Sequence, residues 1–187
     1  MQQSSEVFYL MIRIITFYCL LSIGLITAQD NPNSNLSEHL VGFYSYLGNT
    51  YEGNFINSTK ENPMIDILSF ERALNGSAIK MIHSVNDGEF GGETIIMWDS
   101  QKNSLRSWYF TSAGSLTLQD VEVNGGKFIS VEDVSNNQNG ITKVKTIIEL
   151  SHGNKLQKRT KYLMDNLWME GNDMIYEQVT GKSPKFD

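Results

Sequence analysis

From Tyr51 onward the chain alternates apolar and polar residues in short runs rich in Ile, Val, Thr and aromatics, each broken by Gly, Asn or Asp. Alternation with a period of two marks strands that bury one face and wet the other. About ten such runs can be read, near residues 50–57, 64–74, 77–85, 92–99, 104–111, 116–123, 126–134, 140–150, 155–165 and 167–179, the last bent at Gly171. The connections are short, so strands adjacent in sequence pair with one another. This predicts an all-β fold, an antiparallel up-and-down meander of about 8–10 strands closing into a barrel. Ahead of it the period changes. Leu36, Leu40, Phe43 and Leu47 share a stripe at helical spacing, which predicts a short N-terminal helix capped by Ser37 or Asn35 and ended by Gly48-Asn49.

Two hairpins can be registered from their turns. Asn75-Gly76 suits a two-residue turn with positive φ at both positions. That turn sets Glu71 opposite Lys80 on one face and pairs Arg72 with Ile79, Phe70 with Met81, Leu68 with His83 and Asp66 with Val85 on the other. The Glu71–Lys80 face reads as solvent. Around His152-Gly153-Asn154 a three-residue loop sets Leu150, Thr146 and Val144 against Leu156, Thr160 and Tyr162. Lys143, Lys145, Arg159 and Lys161 then point outward, a ladder that reads as a solvated surface or a site for an anionic partner. Lys158 points inward opposite Ile148, from where its stem can reach towards the barrel mouth.

The first stretch changes the picture of where the protein works. A nearly unbroken apolar run near 12–25 starts around Arg13 and ends at Thr27-Ala28-Gln29-Asp30. This is the pattern of a secretory signal peptide over 1–28, and the run is shorter than the roughly 20 residues a spanning helix needs. A retained anchor is the alternative. The organisation expected is a signal peptide over 1–28, a flexible leader over 29–35 and one barrel domain over 36–187, exported to a periplasm or secreted, with no membrane span after cleavage. The one cysteine, Cys19, falls within the signal segment. The mature chain would hold no thiol, which excludes a disulfide framework, a thiolate nucleophile and cysteine zinc sites. Net charge is −6, with bases scattered among acids. That balance speaks against nucleic acid, which needs a dominant basic patch. An outer-membrane barrel would need a charge-free lipid face, whereas both registered hairpins put charge outside.

At Leu47-Gly48-Asn49-Thr50-Tyr51-Glu52-Gly53, and again at Glu93-Thr94-Ile95-Ile96-Met97-Trp98-Asp99 followed by Ser107-Trp108-Tyr109-Phe110-Thr111-Ser112-Ala113-Gly114, the chain resembles the calycin-like barrels. That group includes lipocalins and fatty-acid-binding proteins. The nearest likeness is to exported bacterial domains of unknown function, in which an aromatic-Asp pair precedes a tryptophan-rich strand and a glycine turn. The resemblance implies a barrel with an interior cavity for a small apolar molecule. Two features depart from it. The lipocalin Gly-x-Trp is here Gly48-x-x-Tyr51, and the carboxylate-binding Arg-x-Tyr of fatty-acid-binding proteins is replaced by Met174-Ile175-Tyr176.

No nucleophile elbow, zinc helix motif, P-loop or dinucleotide fingerprint occurs. Asn86-Asp87-Gly88-Glu89 and residues 133–140 carry oxygens suited to calcium but read as turns. No metal or cofactor is expected. The candidate ligand-binding residues are Asp66, His83, Arg72, Arg106, Trp108, Lys158 and Tyr162. Asp66 and His83 become diagonal neighbours across one strand pair, able to orient a ligand or to move a proton. Arg72 shares their face. The hairpin over 92–111 carries large rings on both sides: Ile95, Met97, Arg106, Trp108 and Phe110 on one, and Ile96, Trp98, Leu105 and Tyr109 on the other. Which side is interior stays open. If it is the first, Trp108 forms a ligand wall with Arg106 as an anion anchor. The leading expectation is a barrel that binds a small apolar or amphipathic ligand. The alternatives are an enzyme working through the Asp66–His83 pair, and a surface module with a filled core.

Overall fold

The computed structural model describes residues 35–135 and 137–186. The expected signal segment, with Cys19, and all of the leader but Asn35 lie outside the described residues. A 3₁₀ helix, Glu38–Phe43, precedes ten strands: β1 (Thr50–Asn54), β2 (Ile65–Ala73), β3 (Ala78–Val85), β4 (Phe90–Asp99), β5 (Ser104–Thr111), β6 (Leu116–Asn124), β7 (Lys127–Asp133), β8 (Ile141–Ser151), β9 (Lys155–Met164) and β10 (Leu167–Val179). Each strand is antiparallel to its sequence neighbour, and β1 pairs with β10 to close the barrel. The predicted meander is the observed fold.

Both registers read from the turns hold. Glu71 faces Lys80, Leu68 faces His83 and Asp66 faces Val85; Leu150 faces Leu156, Ile148 faces Lys158 and Val144 faces Tyr162. The first turn differs in length. Leu74, Asn75 and Gly76 all take positive φ, and pairing resumes only at Ala73–Ala78. The loop is therefore four residues long, but it is centred on the same Asn75-Gly76 bond, so the strand register is unchanged. The bend expected at Gly171 is an irregularity in the β9–β10 ladder between Glu170 and Asp173.

The helix stripe is real, but its geometry is the tighter 3₁₀ one, and the Ser37 side chain does not cap it. Leu40, Phe43, Tyr46 and Leu47 enter one core with Phe70, Ile79, Ile96, Leu105, Val121, Phe128, Ile148 and Leu156. The segment plugs one end of the barrel and is tied there by several bonds. Ser37 N–H donates to the Gly76 carbonyl at 2.9 Å, and Gly48 N–H to that of Phe70 at 3.0 Å. The Tyr46 hydroxyl donates to the Gly126 carbonyl, and His39 stacks on Trp98 with ring centroids 3.7 Å apart.

The barrel interior therefore has two halves. Towards the plug it is apolar and filled. Towards the β1–β2 and β3–β4 connections the inward positions turn polar, with Asp66, His83, Thr94, Tyr109, Gln119, Ser130, Thr146 and Lys158 around a cavity of about 250 Å³. On the outside, Lys143, Arg159 and Lys161 pair with Asp133, Glu149 and Glu170, and Lys145 lies over the Trp168 ring. The basic ladder is matched largely by acids rather than left open for an anionic partner.

Candidate functional site

The cavity's polar wall is built on four neighbouring strands and closed by a fifth. Asp66 on β2 is 1% exposed. A carboxylate so buried needs donors, and it has two: the Tyr176 hydroxyl donates to Oδ2 at 2.7 Å, and His83 Nδ1 lies 3.0 Å from Oδ1. Burial alone would raise the Asp66 carboxyl, but the His83 hydrogen bond, the charges of Lys158 and His83 and the Tyr176 hydroxyl outweigh it and hold the group below its ordinary value. An ionised carboxylate only accepts, so the proton on Nδ1 belongs to His83. In the neutral ring the other nitrogen, Nε2, accepts, and the Tyr109 hydroxyl donates to it at 2.7 Å; in the charged ring Nε2 donates to the same oxygen. The result is a continuous chain, Tyr176–Asp66–His83–Tyr109, crossing the wall from β10 to β5.

Two glycines permit that span. Gly92 on β4 sits between His83 and Tyr109; a β-carbon there would meet the Tyr109 ring at 2.5 Å. Gly53 on β1 does the same for Tyr176, where an added β-carbon would come within 2.8 Å of the ring. Each tyrosine lies flat across a bare stretch of backbone and reaches the acid–imidazole pair from the far side. Burial, and secondarily the Asp66 charge, push the Tyr109 hydroxyl up to about 12. The same causes, with the bond to Asp66, push Tyr176 higher still. Both stay protonated and act as neutral hydrogen-bonding groups.

Lys158, on β9, lines the same cavity. Among the described residues its ammonium makes no hydrogen bond or ion pair, in contrast to most of the surface lysines. On β6, Gln119 accepts a hydrogen bond from Ser107 Oγ at 3.0 Å, which leaves its NH₂ as a free donor among the described residues. Phe55, Met81, Val85, Phe90, Phe128 and Ile148 supply the apolar lining.

Of the residues named from sequence, Asp66, His83 and Lys158 come together at this cavity. The other four do not line it. Arg72 is on the inner side of β2 by register but at the plugged end, next to Gly76. Tyr162 occupies an inward position on β9, opposite Val144 and nearer the β9–β10 turn. Arg106 and Trp108 are on the outer face of β5, because Ile96, Leu105 and Ser107 take the buried side of that hairpin. Arg106 pairs there with Asp120 at 3.2 Å. The expected anchor and wall thus give way to their strand neighbour, Tyr109. Tyr109 and Tyr176 were missed as site residues; the available signal was a glycine at an inward, mid-strand position, which leaves room for a ring from the next strand.

Fold and site together define a closed antiparallel meander barrel, plugged at one end, with a cavity that is apolar in body and carries one hydrogen-bonded acid–imidazole–phenol chain. No protein-family model matches the chain, and no curated protein is significantly similar to it in sequence.

Proposed function

We propose that this is an exported, calycin-like binding protein that holds a small amphipathic molecule in the polar half of its barrel. The observation that carries the reading is the contrast between saturation and vacancy of partners. Asp66 already has two donors, while the Lys158 ammonium and the Gln119 NH₂ lie at the same cavity with no protein acceptor among the described residues. Apolar walls with a few convergent polar groups are the usual make-up of a ligand site. At about 250 Å³ the space is just below the roughly 300–1,000 Å³ of such pockets, so the occupant is compact rather than a long extended chain. An interior void also weighs against a purely structural barrel with a filled core.

The test is native mass spectrometry of the detergent-free domain before and after organic extraction, repeated on Ser130→Leu, which fills part of the cavity. The expected outcome is a copurifying mass that extraction removes and Ser130→Leu never carries. A mass that persists unchanged in the filled variant would place the ligand elsewhere and end the proposal. The hydrogen-bonded Tyr109–His83–Asp66 chain favours one second reading, an enzyme using that chain for proton transfer. Turnover that survives His83→Gln would eliminate it.

A further inference from the structure

We infer that the cavity takes a small organic anion of the monocarboxylate class, and takes it together with one proton that comes to rest on His83 Nε2. This rests on the binding reading above and adds the ligand's charge and its coupling to pH.

Two independent arguments lead there. The first is charge. The groups facing the site are Asp66 on β2, His83 on β3, Tyr109 on β5, Lys158 on β9 and Tyr176 on β10, while β4 contributes only Gly92, Thr94 and the Phe90 ring. Glu132 on β7 is the remaining inward acid by register; burial raises its carboxyl from the ordinary value, and it does not line the cavity. With His83 neutral, the Asp66 carboxylate and the Lys158 ammonium cancel. Lys158 and Gln119 call for an acceptor, and an anion answers both. Its arrival alone would leave one uncompensated negative charge beside the apolar walls, which is costly. Protonation of His83 restores neutrality.

The second argument is the direction of the hydrogen bonds. While His83 is neutral, Nε2 draws the Tyr109 proton towards itself, so the phenol offers the cavity only lone pairs, which repel an anion. Once Nε2 carries a proton, it donates to the Tyr109 oxygen. The phenolic O–H is then released to turn into the cavity and donate to the carboxylate. Nδ1–H keeps its bond to Asp66 in both states. No covalent bond to the ligand forms or breaks; one proton passes from solvent to His83, and Tyr109 changes from donor to acceptor towards His83 and from acceptor to donor towards the ligand.

The experiment uses benzoate as the anionic probe and benzyl alcohol as its uncharged match. Binding is measured by isothermal titration calorimetry from pH 5 to 9, in buffers of differing ionisation heat. The expected result is a preference for benzoate of at least about tenfold at the acid end and, on the limb where affinity falls with rising pH, uptake approaching one proton per site. Where the proton has to be drawn from solvent, affinity falls with rising pH by up to about tenfold per pH unit, as linkage of one proton requires. His83→Gln keeps a donor for Asp66 and removes the proton acceptor, so it is expected to bind benzoate weakly and without that slope. Tyr109→Phe, which leaves the His83 imidazole and its bond to Asp66 in place, is expected to weaken benzoate and spare benzyl alcohol. Benzoate bound with no proton uptake, or a slope that persists in His83→Gln, overturns the inference. Benzyl alcohol bound in preference to benzoate overturns it too but leaves the binding reading standing. Binding of neither probe counts against both.

Discussion

At the scale of single residues, the site depends on what is missing from Gly53 and Gly92 as much as on what is present in Asp66 and His83. Gly92→Ala drives a β-carbon into both the Tyr109 ring and the neighbouring Phe110 carbonyl. Overpacking of this kind costs about 1–3 kcal/mol, so its chemical-denaturation midpoint is expected to fall accordingly and its Tyr109–His83 bond to be broken. Asp66→Asn leaves at least one of two buried donors without an acceptor, at about 1–3 kcal/mol. The sign of the pH effect follows from Asp66 being held below its ordinary value. Its ionisation stabilises the fold above the usual carboxylate range, near pH 4, and that contribution is lost as pH drops through the depressed folded value. Wild type is expected to lose stability more steeply than Asp66→Asn in acid unfolding below about pH 4. At the alkaline end Tyr46, Tyr51, Tyr109 and Tyr176 are all raised from 10.0 by burial. The unfolded chain therefore ionises first, and stability falls as pH climbs from about 10 towards 12. Ultraviolet titration of the phenols alongside thermal melts checks this.

At the scale of elements, Asp66 and His83 were legible because Asn75-Gly76 fixes one hairpin, and register alone places them together. The true loop is longer, yet symmetric about the same bond, so the inference survived the error. Arg106 and Trp108 lie outside the cavity, and which face of their hairpin is interior was open from the sequence for a definable reason. Both faces of the β4–β5 hairpin carry bulky apolar side chains, so alternation gives a period but no sign, and a one-residue change of phase exchanges wall for exterior. Tyr109 and Tyr176 escaped because each reaches past its paired strand, a relation that lies outside any single hairpin. The segment after β10 carries no strand or helix period in its sequence. It runs back over the outer wall, where Lys182 pairs with Glu52, Lys185 pairs with Asp87 at 3.0 Å, and the Lys185 amide donates to Ser84 Oγ at 3.0 Å. These side-chain pairs are exposed, so Lys182→Ala with Lys185→Ala is expected to cost no more than about 1 kcal/mol, an effect that high salt erases. A larger loss in denaturant titrations would show that the tail carries more of the wall's stability than its charges do.

At the scale of the whole molecule, nine of the ten strand pairings join sequence neighbours, and one, β1 with β10, joins strands more than a hundred residues apart. That last pairing is also short, with four residues of β1 in register from Thr50 to Gly53. Closure over so long a loop is slow for entropic reasons, and refolding is expected on the millisecond-to-second scale of β-rich domains. Stopped-flow fluorescence of the tryptophans would time it. The short seam is not held by its ladder alone: Tyr176 passes over Gly53 to reach Asp66, so the chain that shapes the cavity is also a clasp over the joint. Were the clasp to open, β1 and β10 would each present a bare edge, and the edge that fits β1 best is the β10 of another molecule. Whatever tightens the Asp66 cluster therefore also guards against exchange of strands between copies, and whatever empties or protonates it in acid invites such exchange.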